Sequence, residues 1–219
     1  MNDTAGGGKG KAEASSSSPD HDSTTDQAPA GMRYANHRNW AIGVVAVAAI
    51  AASIVAAPGL RGALGAGLAL VMLTIAVVDA RAFIVPNELN AAGFALALVH
   101  AAFARVDAGV LEAVAMALTR GVVLALMFFV LREAYRYLRK REGLGLGDVK
   151  LAGVAGAWLD WPAMPVAVEI AALSALAVYA LRHFVFGHPV RATSRIPFGL
   201  FFAPAIWLAW LIEVALLRY

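Results

Sequence analysis

The chain contains no cysteine, and charged residues fill only 15% of its 219 positions. The first absence excludes a disulfide, a thiolate-held zinc and a thiol nucleophile. The second separates it from soluble domains, in which about 25% of residues are charged. Neither an HExxH zinc motif nor a GxSxG nucleophile elbow occurs. Histidine is scarce as well: only His100 falls in an apolar segment, His21 and His37 lie in a polar region, and His183 and His188 lie in a basic loop. None of the five is read as catalytic. The alternation of barrel strands is also missing, which leaves helices as the way to satisfy backbone groups in lipid.

Apolar residues supply what remains, at 60% of the chain. Segments at about 40–57, 62–79, 89–104, 110–131, 149–160, 163–183 and 198–217 are candidate helices, since about 20 apolar residues cross a bilayer core. The expected fold is all-α: a polytopic membrane bundle of about seven helices. The count ranges from six to eight because the run after Asp148 is short and closes at Asp160-Trp161-Pro162. Residues 1–38 read as a disordered polar tail, too poor in apolar surface to offset the entropy of ordering, and 39–219 as the membrane domain. Arg33 and Arg38 just before Trp40 suit a retained signal anchor.

The formal charge of +3 does not point to nucleic acid, because the basic residues fall between apolar runs, where they set topology. With the tail in the cytoplasm, that side collects Arg33, Arg38, Arg81, Arg132, Arg136, Arg139 and Lys150 among others. The far side holds only Arg61, Arg105 and Arg218. Asp79 and Asp148 then both fall at cytoplasmic helix ends.

Two segments carry chemistry. Gly145-Leu146-Gly147-Asp148 places a carboxylate behind glycines that permit close backbone approach, with Lys150 two residues on. Asp79 is followed by Arg81, Pro86 and Asn87, and Pro86 should start a helix after a short bent connection. Taken singly, Asp79 reads as a solvated loop charge, Asn87 as a helix cap, Asp148 as a charge favoured by the helix dipole and Lys150 as a headgroup anchor. Taken together, two carboxylates at one end of a bundle cannot easily both ionise. Such a pair deprotonates a water while protonating a leaving group, with no metal or cofactor.

The stretch Gly145 to Leu151, GLGDVKL, resembles the GxGD signature of membrane aspartic peptidases, in the GxGDxKL form of type IV prepilin peptidases. Asp79, Arg81, Pro86 and Asn87 are similar to that family's first-aspartate segment, and Arg195-Ile196-Pro197-Phe198-Gly199 to its late Ile-Pro-Phe-Gly segment. The resemblance implies a GxGD aspartic protease-like bundle in the bacterial inner membrane, N-terminus cytoplasmic, that removes the leader of prepilins or pseudopilins. Asp79 and Asp148 would be catalytic. Gly145 and Gly147 would shape the approach to Asp148, and Pro197 and Gly199 would build a segment beside the site. Larger members carry a domain with paired cysteines and also methylate the new amino terminus. This chain resembles the short, peptidase-only members of tight-adherence (Flp) pilus systems, so N-methyltransferase activity is not expected. Leu200 stands where a second proline is common, and Phe83 and Ile84 where the family is often polar or basic.

Arg120, Glu169 and Glu213 fall within spans, with Glu112 near a helix start. Such groups are costly in lipid. Arg120 and Glu169 are expected to pair across helices, and Asp160 to be an exposed loop charge. The same residues motivate a competing reading as a small transporter or channel, for which midplane carboxylates facing a cavity would be the sign. A non-catalytic subunit of a secretion machine is the third reading. Oligomeric state is not encoded in any of these features.

Overall fold

The computed structural model describes residues 30–104, 109–140, 143–184 and 197–216. Residues 1–29, which hold most of the expected tail, and Arg195 and Ile196 lie outside the described residues. The chain divides after Arg38. Residues 30–38 are helical and belong to α1 (Ala30–Ala56). Then follow α2 (Leu60–Ala82), α3 (Asn87–Ala104), α4 (Val110–Arg139), α5 (Leu146–Trp158), α6 (Ala163–Phe184) and α7 (Phe198–Leu216). The described residues thus form seven helices. Four of them, α2, α4, most of α6 and α7, are long and apolar enough to cross a membrane.

Helix ends follow from local chemistry. α2 runs three residues past its expected end and stops where Phe83 takes a left-handed φ of 56°, its N–H returning to the Asp79 carbonyl at 2.9 Å. Pro86 then sets the start of α3, and its carbonyl accepts the Asn90 N–H at 3.2 Å. α5 begins at Leu146, three residues earlier than expected, because Gly145 sits in an extended conformation ahead of it and leaves its N–H to a side chain. α4 extends eight residues beyond its apolar run, where Glu133 and Arg136 pair one turn apart.

The core is drawn from α2, α5 and α7. Leu68, Met72 and Ile75 of α2, Leu151 and Val154 of α5, and Phe202, Ile206 and Trp210 of α7 belong to one buried cluster, all essentially without exposure. The outer faces of α4 and α6 stay apolar and exposed, with Val122, Leu126, Val130, Leu173 and Leu176 among them. A soluble protein rarely shows so much contiguous apolar surface, whereas lipid accepts it. Small residues let the helices approach. The most extensive pairing, α4 on α5, closes where a Cβ on Gly156 would lie 2.5 Å from the Arg120 carbonyl oxygen and one on Gly121 2.9 Å from that of Gly153. The outer edge of the Trp210 ring lies against Gly65, inside the small-residue run of α2.

Gly156→Leu is therefore expected to destabilise the bundle by about 1–3 kcal/mol, since backbone on α4 cannot yield as a side chain tip can. Gly43→Ala, at a helical position with nothing within 4 Å, should be neutral or slightly stabilising. Thermal midpoints in one detergent check both, and equal midpoints for Gly156→Leu and the wild type would refute the packing argument.

Candidate active site

Four helix ends meet at the two motifs: the C-terminus of α2 and the N-termini of α3, α5 and α7. Asp79 occupies the last turn of α2 and is only 4% exposed, so it is not the solvated loop charge of the simplest reading. Its Oδ2 accepts the Leu200 N–H at 2.8 Å. That donor is one of the first N–H groups of α7, which have no partner inside their own helix. A proline at position 200 has no N–H to give. Leu200 thus supplies Asp79 with a donor that a proline at this position could not.

Asp148 lies in the first turn of α5, 9% exposed, and its Oδ2 accepts the Gly145 N–H at 3.2 Å. Burial pushes its carboxyl up to about 6, opposed by the Gly145 N–H and reinforced by the nearby charge of Asp79. The two carboxylates are therefore within electrostatic reach of each other. Val85, in the bend between α2 and α3, wedges between the motifs. A Cβ on Gly147 would meet Val85 Cβ at 2.9 Å, and one on Gly199 would meet Val85 Cγ2 at 3.2 Å and Asp79 Oδ2 at 2.8 Å. Gly147 and Gly199 are required by close approach, not by a special φ.

Lys150 is not free to serve as a headgroup anchor alone. Its Nζ donates to Asn87 Oδ1 at 2.6 Å and ties the start of α5 to the start of α3. Asn87 is accordingly the first residue of α3 with its side chain committed to Lys150, and Pro86 precedes the helix where a cap was expected. Arg81 is exposed in the last turn of α2 and makes no hydrogen bond or ion pair among the described residues. Pro197 is half-buried directly ahead of α7. Two supports had no signal in the sequence. Arg132 Nε donates to the Leu144 carbonyl at 3.1 Å, and Gly143 lies against the Tyr135 ring, so the end of α4 carries the glycine segment that leads to Asp148.

The expected Arg120–Glu169 pair does not form: Glu169 is exposed. Arg120 instead pairs with Asp160 at 3.0 Å and donates from Nε to the Gly156 carbonyl at 3.3 Å, so Asp160 is a partnered group and not a loose loop charge. Gly156, with no side chain, lets α5 come close enough for that second bond. Among the described residues no cluster of His, Asp and Glu is arranged to hold a metal ion.

A membrane-type helical bundle with two buried, backbone-held carboxylates at one end defines the class. Residues 66–181, just over half the chain, match the type IV leader peptidase family. The chain belongs to that family and is an integral membrane protein. Both carboxylates lie within the matched stretch, and Pro197 and Gly199 lie beyond it. Among similar proteins, the prepilin leader peptidase/N-methyltransferase of Aeromonas salmonicida (strain A449) is 34% identical over 86 residues, 39% of this chain and 29% of that protein. That of Pectobacterium carotovorum subsp. carotovorum is 47% identical over 53 residues, 24% of this chain and 19% of that protein. Leader peptidase HopD of Escherichia coli is 38% identical over 78 residues, 36% of this chain and 50% of that protein. The matched segment thus spans half or less of each relative. No solved structure matches the chain.

Because Asp148 is raised, the folded protein holds its proton more tightly than the unfolded chain does. The stability this group contributes is full below about pH 4 and is lost as pH rises towards about 6. The wild type should lose more stability than Asp148→Asn between pH 4 and pH 7, by up to roughly 3 kcal/mol. Thermal midpoints across that range measure it, and parallel curves would show an ordinary carboxylate.

Proposed function

We propose that this chain is an aspartic endopeptidase that removes the leader of prepilin-like proteins at the cytoplasmic membrane face, with Asp79 and Asp148 as the catalytic pair. The observation that carries the reading is their convergence: two carboxylates 69 positions apart in sequence, both buried, at one bundle end and within electrostatic reach of each other. Family membership supports the reaction class, and the printed names of the relatives support prepilins as substrates. The proposal extends to the bacterial inner membrane with a cytoplasmic N-terminus, on the Lys and Arg asymmetry of the loops. It extends also to the peptidase-only, Flp-type form, on motif resemblance.

Such a pair shares one proton. The ionised carboxylate takes a proton from water as its oxygen attacks the scissile carbonyl carbon. The protonated partner donates a hydrogen bond to the carbonyl oxygen and then hands its proton to the departing amine as the C–N bond breaks. The protein's contribution is to hold both carboxylates by backbone N–H groups of Leu200 and Gly145, out of bulk water, where the shared proton is retained. Gly147, Gly199 and the Lys150–Asn87 bond position this frame. The transporter reading calls for carboxylates facing a cavity at the membrane midplane, whereas Glu112 and Glu213 stand near the ends of α4 and α7 and Glu169 is exposed.

Co-expression with a candidate prepilin, reading leader removal by intact mass, tests the proposal. Asp79→Asn and Asp148→Asn keep size and shape and should each lower cleavage by at least about 10³-fold at normal membrane levels, the scale of removing a group essential to acid–base chemistry. Cleavage that persisted in either variant would sink the two-carboxylate mechanism. Gly199→Ala, which pushes a methyl against Asp79 Oδ2, should cost roughly 10²-fold by misplacing that carboxylate.

A further inference from the structure

The helices that bring Asp79 and Asp148 together send their other ends to a second polar place. Arg61 is in the first turn of α2 and Asp79 in its last, which separates the two sites by about 27 Å along one helix, close to the thickness of a bilayer core. At that far end lies a cavity of about 220 Å³ lined by the charged side chains of Arg61, Glu112, Arg120, Asp160 and Glu213. The peptidase chemistry proposed above uses none of them.

Their pairing leaves a definite remainder. Arg120 and Asp160 form an ion pair, and Glu213 from α7 lies within electrostatic reach of Asp160. Arg61 and Glu112 are exposed, stand in the first turns of α2 and α4, and make no hydrogen bond or ion pair among the described residues. The cavity therefore presents one cation and one carboxylate that no hydrogen bond or ion pair engages among the described residues, with Arg61 in electrostatic reach of Glu213. Its aromatic lining is packed and not polar: His100 is stacked on Trp158 at 4.4 Å, and His100 Nε2 and the indole N–H groups of Trp158 and Trp210 are buried out of reach of the cavity.

Size and setting narrow the occupant. The volume equals that of about seven liquid waters, enough for a small polar headgroup and too little for an acyl chain. One lining residue, Met116, also belongs to the exposed apolar face of α4, so a chain attached to the headgroup has an apolar surface to follow. We propose that this cavity binds a phosphoethanolamine-type zwitterion, its phosphate at Arg61 and its primary ammonium at Glu112, carried by a phospholipid of the leaflet opposite the catalytic pair.

The full chain, reconstituted into bilayers of equal phosphatidylethanolamine, phosphatidylglycerol and phosphatidylcholine, is released into detergent and its retained lipid read by native mass spectrometry. Phosphatidylethanolamine should be retained at least tenfold over the other two. Arg61→Gln and Glu112→Gln, both at exposed positions, should each lose that preference while keeping the wild-type thermal midpoint in lipid-free detergent. A second arm titrates free phosphoethanolamine and inorganic phosphate by calorimetry. Binding of free phosphoethanolamine that both variants abolish, without lipid retention, would uphold the zwitterion site and assign it a soluble ligand. Equal retention of phosphatidylglycerol, retention indifferent to both variants, or binding in neither arm would overturn the proposal. Leader cleavage by the same preparations is scored separately, so that failure of the lipid site and failure of the peptidase reading are told apart.

Discussion

One backbone hydrogen bond, from Leu200 N–H to the Asp79 carboxylate, spans 121 positions of sequence and sets where α7 can sit against α2. An ionisable group 4% exposed at the end of an apolar helix is costly unless it is hydrogen-bonded. The N-terminus of α7 is a ready source of unpaired donors, and it also carries the positive end of a helix dipole. Because the donor is backbone, no side chain can intrude between the helices, and the residue before it has to be glycine. Val85 follows from the same demand: it fills the notch that Gly147 and Gly199 leave open and so fixes the bend after Asp79.

Asp148 solves the equivalent problem by a shorter route. Its donor is the Gly145 N–H, three residues away, so the carboxylate is satisfied within its own helix start. One carboxylate is thus held by distant sequence and the other by local sequence. The pair can form only when α2, α5 and α7 have docked. The local half also depends on α4, whose Arg132 and Tyr135 support the Leu144 carbonyl and Gly143.

That division explains what the sequence made legible. The seven helices were readable from the apolar runs, since in lipid each segment satisfies its own backbone and length alone bounds it. Asp79, Asp148, Gly147 and Gly199 fall in the segments that the family resemblance marks. What could not be read were contacts whose chemistry is backbone or shape. Leu200 contributes an N–H that any residue but proline carries, and Val85 contributes only volume. The Lys150–Asn87 bond joins residues 63 positions apart that each had an adequate local explanation. Arg120 was assigned the wrong partner for a related reason: helix-to-helix register is not written in hydropathy, and Asp160 reaches it only because Gly156 lets α5 come close to α4. Helix ends were misjudged where polar residues continue a helix beyond its apolar run, as in α4, or where a glycine starts one early, as in α5.

The shortness of α5 links the two polar ends of the bundle. Thirteen residues rise about 20 Å, some 10 Å less than a bilayer core, so this helix by itself falls short of spanning such a core. Its charged termini, Asp148 at the start and Asp160 just past the end, must then find partners inside the protein. Asp148 finds Gly145 and the neighbourhood of Asp79, and Asp160 finds Arg120. α4, more than twice as long, carries α5 on one face and exposes apolar side chains on the other, and it supplies Arg120 and Arg132 near the two ends of its short neighbour. A recessed carboxylate pair and a recessed polar cavity are therefore two consequences of the same constraint, a helix too short for its surroundings packed by glycine against one that is long enough.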